Sequence, residues 1–263
     1  MATKMIRGAT LNYADRGNGL PLVLMHGFPL DLRMWDAQIG ELSSRYRVIA
    51  PDFRGFGQSK STDPFTTESL ADDVHALLEE ISALPCVLAG LSMGGYVALA
   101  YVRKYPGDLR GLILVDTKAT GDDAQGKQNR DKMIELVRSK GSKAVADQML
   151  PKMLAPDTPR NRPAQAQALR HMMEACPPKT IENALVALRD RPDHSQALAS
   201  IATPTLIIVG SEDAITPVPV ADSMQKQIPK SQLAVIKGAG HMSPMEQPAQ
   251  VNQVISRFMG EIR

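Results

Sequence analysis

Cysteine is scarce in this chain of 263 residues: Cys86 and Cys176 are the only two. Neither stands in a metal-ligand spacing, so no metal is expected, and two isolated thiols suit the reducing interior of a cytoplasmic protein rather than a disulfide framework. Long apolar runs are lacking too. None approaches the roughly 20 residues of a membrane helix, and the opening stretch Met1–Arg7 has no apolar signal core, so no membrane association is expected. Nor does one sign of charge prevail. With 30 Lys and Arg against 28 Asp and Glu the net charge is +2, and no basic stripe forms, which argues against a nucleic-acid partner. No glycine-rich nucleotide fingerprint occurs, so no cofactor is called for. Tryptophan appears once, at Trp35, where it reads as the residue that anchors the first helix in the core.

What the chain has in quantity is alternation. Apolar residues make up 43% of it, enough for a sizeable core. Strands are expected near Met5–Arg7, Ala9–Ala14, Leu22–Met25, Val48–Ala50, Cys86–Ala89, Leu112–Asp116, Thr205–Val209 and Leu233–Ile236. Helices are expected near Leu32–Ser43, Thr67–Ala83, Gly94–Tyr105, Val218–Ile228 and Pro248–Ile262. Such an order predicts an α/β fold, a mainly parallel eight-stranded sheet with helices on both faces. The alternation stops between Asp116 and Thr205. There the chain is polar from Thr120 to Arg130 and then reads as short helices near Asp131–Ser139, Ser142–Leu150, Arg162–Ala175 and Lys179–Leu188, broken by Pro151, Pro156, Pro159, Pro163 and Pro177-Pro178. A helical cap over residues 118–194 is expected, inserted into a core domain of residues 1–117 and 195–263. Its methionines Met133, Met149, Met153, Met172 and Met173 are read mainly as packing between cap and core.

Gly90-Leu91-Ser92-Met93-Gly94 fits G-x-S-x-G between an apolar strand and an amphipathic helix. That context is a nucleophile elbow. A serine on the strained turn lifts its hydroxyl clear of the sheet, and the glycines two positions away let the strand and helix backbones pass closely. A hydroxyl at neutral pH needs a base, and the base needs an acid that holds its tautomer.

Only five histidines compete for the base. His241 follows the apolar alternation Leu233–Ile236 on a glycine-rich turn, at the sheet edge where open α/β folds bind ligands. His26, His75, His171 and His194 read as structural or exposed. Asp213, just past Thr205–Val209, is the favoured acid, which places Ser92, Asp213 and His241 in that chain order. Asp116 is its main rival because it also ends a strand; otherwise it is expected to hinge the cap or to N-cap the segment after it. Glu212 is the direct neighbour. His26-Gly27-Phe28-Pro29 follows the strand Leu22–Met25, and the backbone N–H groups of Phe28 and Met93 are the candidate oxyanion donors.

Together these segments resemble the α/β-hydrolase superfamily, specifically its cap-bearing esterase, lactonase and cofactor-free perhydrolase branch. The stretch Asp52-Phe53-Arg54-Gly55-Phe56-Gly57-Gln58-Ser59 is similar to that superfamily's D-x-R-G-x-G-x-S turn. It reads as structural, with Asp52 and Arg54 bracing neighbouring loops. Haloalkane dehalogenases and epoxide hydrolases of this fold carry aspartate at the elbow, so Ser92 argues against both. The segment Asp31-Leu32-Arg33-Met34-Trp35-Asp36 resembles enol-lactonases and arylesterase- or perhydrolase-like members.

The resemblance implies a serine hydrolase for carboxylic esters of small to medium, largely apolar substrates. The alternatives are an enol-lactonase, a C–C bond hydrolase or a perhydrolase on the same groups, or a slow receptor-like binding protein. The implied partner is a small-molecule ester or lactone, whose identity the sequence leaves open.

Overall fold

The protein is described by a computed structural model that covers residues 1–262. The chain opens with β1 (Ala2–Ile6), β2 (Ala9–Arg16) and β3 (Pro21–Met25), continues through α1 (Asp36–Leu42), β4 (Arg47–Pro51) and α2 (Thr67–Glu80), and reaches β5 (Cys86–Leu91), α3 (Met93–Lys104) and β6 (Leu109–Val115). Four helices follow without a strand: α4 (Ala124–Met153), α5 (Thr158–Asn161), α6 (Pro163–Ala175) and α7 (Pro178–Asp190). Then come β7 (Thr205–Gly210), α8 (Val218–Gln227), β8 (Ser231–Ile236), α9 (Ser243–Glu246) and α10 (Pro248–Glu261).

The eight strands form one sheet in the order β1-β2-β4-β3-β5-β6-β7-β8. β2 runs antiparallel to β1 and β4, and every other pairing is parallel. The antiparallel edge comes from a two-residue turn. Arg7 and Gly8 both take positive φ, 46° and 80°, which is why Arg7 belongs to the turn rather than to the expected strand. β5 is buried throughout and reads as a continuous apolar run, whereas β8 at the edge alternates toward solvent.

Alternation along the strands feeds two cores. Val87, Ala89 and Ile113 pack with Trp35, Ile39 and Ile255 on one face. Leu88, Leu112 and Leu114 pack with Leu77, Val97 and Tyr101 on the other. Trp35 is fully buried, as expected of a core anchor. The first helix is shorter than expected: Leu32–Trp35 is a 3₁₀ turn, started by the Asp31 carboxylate accepting from Arg33 N–H, and the α-helix begins only at Asp36.

The inserted helices depart from expectation in instructive ways. The polar stretch from Thr120 turns helical at Ala124, because the Asp123 side chain caps it by accepting from Gly126 N–H at 2.7 Å. Two expected helices are one, kinked at Gly141, whose φ of 73° leaves the helical range. Several prolines start helices rather than break them. Pro163, Pro178 and Pro248 occupy first positions, where a missing N–H costs nothing, and Pro151 is carried inside the last turn of α4.

Candidate active site

β5 delivers Ser92 onto a sharp turn. Its backbone sits at φ 52° and ψ −109°, a conformation that costs a non-glycine residue about 1–3 kcal/mol and must be enforced by its surroundings. The surroundings are specific. Ser92 N–H donates to Val115 O at 3.0 Å, while Ser92 O accepts from Gly95 N–H, Tyr96 N–H and the Thr117 hydroxyl. A methyl group on Gly90 would lie 2.1 Å from Gly94 O, and one on Gly94 would lie 2.4 Å from Met25 O. The glycines of the motif are therefore demanded by strand–helix contact, as the elbow reading requires.

The loop after β7 brings Asp213, and the turn after β8 brings His241. Both are nearly fully buried. Asp213 Oδ2 accepts from His241 Nδ1–H at 2.9 Å and from the Thr216 hydroxyl at 2.7 Å, and its Oδ1 accepts from the N–H groups of Ile215 and Thr216. The carboxylate is thus fixed from four directions. Burial pushes the Asp213 carboxyl up, but hydrogen bonds from His241 and Thr216 outweigh it and hold the group below its ordinary value. Burial likewise opposes the His241 imidazolium. The hydrogen bond to Asp213, with the charges of Asp213, Asp116 and Glu246, nevertheless raises its pKa above 6.5.

The rival acids lie elsewhere. Glu212 is exposed. Asp116, fully buried at φ 44°, accepts from Gly210 N–H at 2.8 Å and from the Ser243 hydroxyl at 2.5 Å and N–H at 3.2 Å. It does not cap α4, whose N-cap is Asp123, contrary to expectation; it ties the end of β7 to the first residue of α9. Burial, with the nearby charge of Asp213, pushes its carboxyl up to about 7 against His241 and Ser243.

Of the remaining histidines, His26 is internal scaffolding. Its Nδ1–H donates to Gly27 O, and its Nε2 accepts from Phe53 N–H at 3.0 Å. His75 stacks on Tyr105, and His171 is exposed. The bracing expected of the Asp52 turn is also present. Asp52 accepts from Leu32 N–H, Gln58 N–H and the Asn12 amide, while Arg54 grips Asp73 with two nitrogens at 2.6 and 2.7 Å.

Ser92 and His241 share one cavity with Phe28 and Met93. It measures about 60 Å³ and is small beside the other clefts. Larger clefts, about 470 Å³ beside Asp31 and about 580 Å³ beside Asp122, contain neither Ser92 nor His241. Met93 opens α3, so its N–H is one of the donors that a helix leaves without an internal partner, and it faces the same region as the dipole's positive end. The opposite wall comes from Arg130, Met149 and Met153 of α4 and from Leu188 of α7, with Tyr96 and Ile215 between.

Of those six, Met149 and Met153 alone were singled out in the sequence, mainly as packing, and both are wall residues. Glu246 carried no signal. Its Oε1 accepts from Gly240 N–H at 2.8 Å and Met242 N–H at 3.3 Å, on either side of His241, while its Oε2 accepts from Ala155 N–H at 2.8 Å and the Thr158 hydroxyl at 2.5 Å. One fully buried carboxylate therefore joins the histidine turn to the inserted helices.

A family model described as alpha/beta hydrolase fold matches residues 21–248. The chain belongs to the α/β-hydrolase family. This α/β-hydrolase is 34% identical over 262 residues to an AB hydrolase superfamily protein of Bacillus subtilis, covering 95% of each. It is 30% identical to 3-oxoadipate enol-lactonase 1 of Acinetobacter baylyi, over 98% of this chain and 96% of that one. Among solved structures, an esterase from Thermogutta terrifontis with malate bound superposes at a TM-score of 0.96 and 41% identity, over 99% of this chain and 98% of that one. The eight-stranded sheet with its helical cap is the family's fold, and the protein is an enzyme.

Proposed function

We propose that this α/β-hydrolase cleaves carboxylic esters through an acyl-enzyme on Ser92, with His241 as base and Asp213 as the acid that orients it. The observation that carries this reading is the single cavity in which Ser92 and His241 meet, with Nδ1–H of His241 donated to Asp213. That bond commits Nε2 to the cavity as the basic nitrogen. His241 takes the hydroxyl proton of Ser92 as the oxygen attacks the ester carbonyl, and it returns the proton to the leaving alcohol. Water, activated by the same nitrogen, then releases the acid. The N–H groups of Phe28 and Met93 receive the oxyanion of each tetrahedral intermediate, a donor pair of which each member is worth roughly 3–4 kcal/mol in a well-studied hydrolase.

The helices inserted between β6 and β7 act in this scheme as a cap over residues 118–194, excluding water and shaping the pocket. An apolar wall of Phe28, Met149, Met153 and Leu188 supports small to medium, largely apolar substrates. A reducing, cytoplasmic setting suits the two buried free thiols, and burial pushes that of Cys86 up to about 12, away from reactivity. Among the described residues no helix is long and apolar enough to cross a membrane.

A second reading, lactone opening, is favoured by the 30% identity to an enol-lactonase over nearly the whole chain. The attack is the same; the leaving oxygen stays tethered to the acyl group. A serine-directed fluorophosphonate should label Ser92, and Ser92→Ala should fold but lose turnover of p-nitrophenyl esters. A label on another residue would sink the proposal. Running the esters beside simple lactones separates the two readings.

A further inference from the structure

Away from Ser92 and His241, one residue that lines the cavity carries a permanent charge. Arg130 reaches it from the first turns of α4, and its Nε–H donates to Asp122 at 2.9 Å. No hydrogen bond from its two terminal nitrogens is found among the described residues, and its side chain is about a quarter exposed. Asp122 is shared. Arg191 also binds it at 2.8 Å, with its guanidinium carbon 4.3 Å from the ring centre of the wall residue Tyr96, and Lys118 Nζ approaches to 3.7 Å. Three cations thus converge on one nearly buried carboxylate, and the cluster keeps a surplus of positive charge on the cap side of the cavity.

Two further observations agree. The Lys118 pKa is lowered, first by burial and then by the Arg191 and Arg130 charges, so the cations of the cluster act on one another. Asp122 and Arg191 line the neighbouring polar cleft while Arg130 lines the cavity of Ser92, so the cluster is the partition between the two. A guanidinium with unused N–H groups, facing a largely apolar space, attracts a carboxylate more strongly than it would in water, and its planar fork suits two-point binding.

We infer that this cavity receives an ester whose acyl chain ends in a second, ionised carboxylate, held by Arg130: the half-ester of a short dicarboxylic acid. This rests on the ester-hydrolase reading for the bond broken, but the anion site itself does not depend on turnover. The small cavity demands that few atoms separate carbonyl and carboxylate. Hydrolysis of such a substrate releases the dicarboxylate and the alcohol, with water supplying the oxygen and both hydrogens.

The test compares monomethyl glutarate with dimethyl glutarate, which differ in one charge. In a Ser92→Ala background, calorimetry should show the half-ester bound more tightly than the diester, with Arg130→Met weakening it about ten- to hundredfold and Arg130→Lys restoring part. In the active enzyme, Arg130→Met should lower the ratio of kcat/KM for half-ester over diester by a similar factor, and added salt should lower it in the wild type. Glutarate should also raise the Tm of the wild type more than that of Arg130→Met, a readout that needs no Ser92 variant. Equal binding of the two esters, or half-ester binding indifferent to Arg130→Met, overturns the inference. Arg130-dependent binding without hydrolysis of either ester upholds it and sinks the ester-hydrolase reading instead.

Discussion

The two walls of the cavity are held by different physics. On the sheet side, Ser92, Asp213 and His241 stand on turns at the ends of neighbouring strands whose residues, such as Leu88, Ile113 and Ile208, are completely buried. Each turn is pinned by backbone hydrogen bonds to the next, as with Ser92 N–H to Val115 O, Asp116 N–H to Ile208 O and Glu212 N–H to Ala239 O. On the cap side, Arg130, Met149 and Met153 hang from one helix that is kinked at Gly141; Ile134 and Val137 of that helix share an apolar core with Ile181 and Leu185 of α7, and exposed ion pairs such as Arg138–Glu182 and Arg189–Asp131 add to it. Exposed pairs of this kind are weak and screened by salt. Under the proposed function the contrast is a division of labour: the sheet fixes where the reacting atoms stand, and the cap decides what reaches them. Perturbing each side should therefore give effects of different kind and size.

The largest effect should come from the acid. Asp213→Asn leaves an amide that can present N–H to His241 and favour the wrong tautomer; one well-studied triad loses about 10⁴ in turnover that way with its geometry intact. We expect a loss of orders of magnitude in kcat on a p-nitrophenyl ester with little change in Tm. Asp116→Asn should instead show mainly in stability, because its amide would face Ser243 N–H and disturb the tie between β7 and α9. A severe kcat loss in Asp116→Asn beside a mild one in Asp213→Asn would transfer the orienting role.

Next in size is the rivet between the walls. Glu246→Ala strands the buried N–H groups of Ala155 and Gly240, and each unpaired group costs about 1–3 kcal/mol. Tm should fall by several degrees and kcat by roughly tenfold or more, since Gly240 and Met242 flank the catalytic turn. If Tm falls while kcat, measured well below it, stays at the wild-type value, then Glu246 secures the cap without aligning His241, and the two walls are separate in function as well as in construction.

A smaller, signed effect concerns pH. In the proposed mechanism His241 must be neutral to accept the Ser92 proton, so turnover should fall as pH drops through a pKa raised above 6.5. Glu246 contributes to that rise, and removing a nearby anion disfavours the imidazolium. The acid limb of Glu246→Gln should accordingly shift to lower pH; an unmoved or upward-shifted limb counts against the assignment. Stability follows the same protons with opposite signs. The raised His241 stabilises the fold below its unfolded pKa and loses this as pH climbs through the folded value, whereas the depressed Asp213 contributes above the carboxylate range and fails as pH falls.

What the sequence could disclose divides along the same line. The placement of Ser92, Asp213 and His241 at one sheet edge was legible because each lies at the end of a strand whose apolar pattern is local, and because G-x-S-x-G states a steric demand that Gly90 and Gly94 meet. Glu246 was invisible: its partners Ala155 and Thr158 lie 91 and 88 residues away, and no periodicity links them. Arg130 was hidden by a misplaced helix start, since a polar stretch gives no apolar period until its Asp123 cap is recognised. Gly141 then shifts the phase of α4, so that residues on one sequence stripe do not share a face.

The smallest effect should come from the most adaptable wall residue. Met149 is only partly buried and lines the cavity from α4, and the unbranched thioether can swing aside more readily than a β-branched or aromatic side chain. A cavity of about 60 Å³ leaves little room for a long acyl chain, and Met149 is better placed to yield to one than the fully packed Met153. Met149→Ala should therefore widen the acyl range with little disturbance of the core: KM for longer p-nitrophenyl esters should drop by a few-fold, with kcat for the acetate nearly constant and Tm altered slightly, because the site is not sealed enough to leave a true void. Met149→Ile, stiff at its first torsion, should act the other way and penalise the longer chains. If both variants leave the chain-length profile as it is, the yielding element is not the α4 side chain but the cap as a body, moving about its attachment at Glu246.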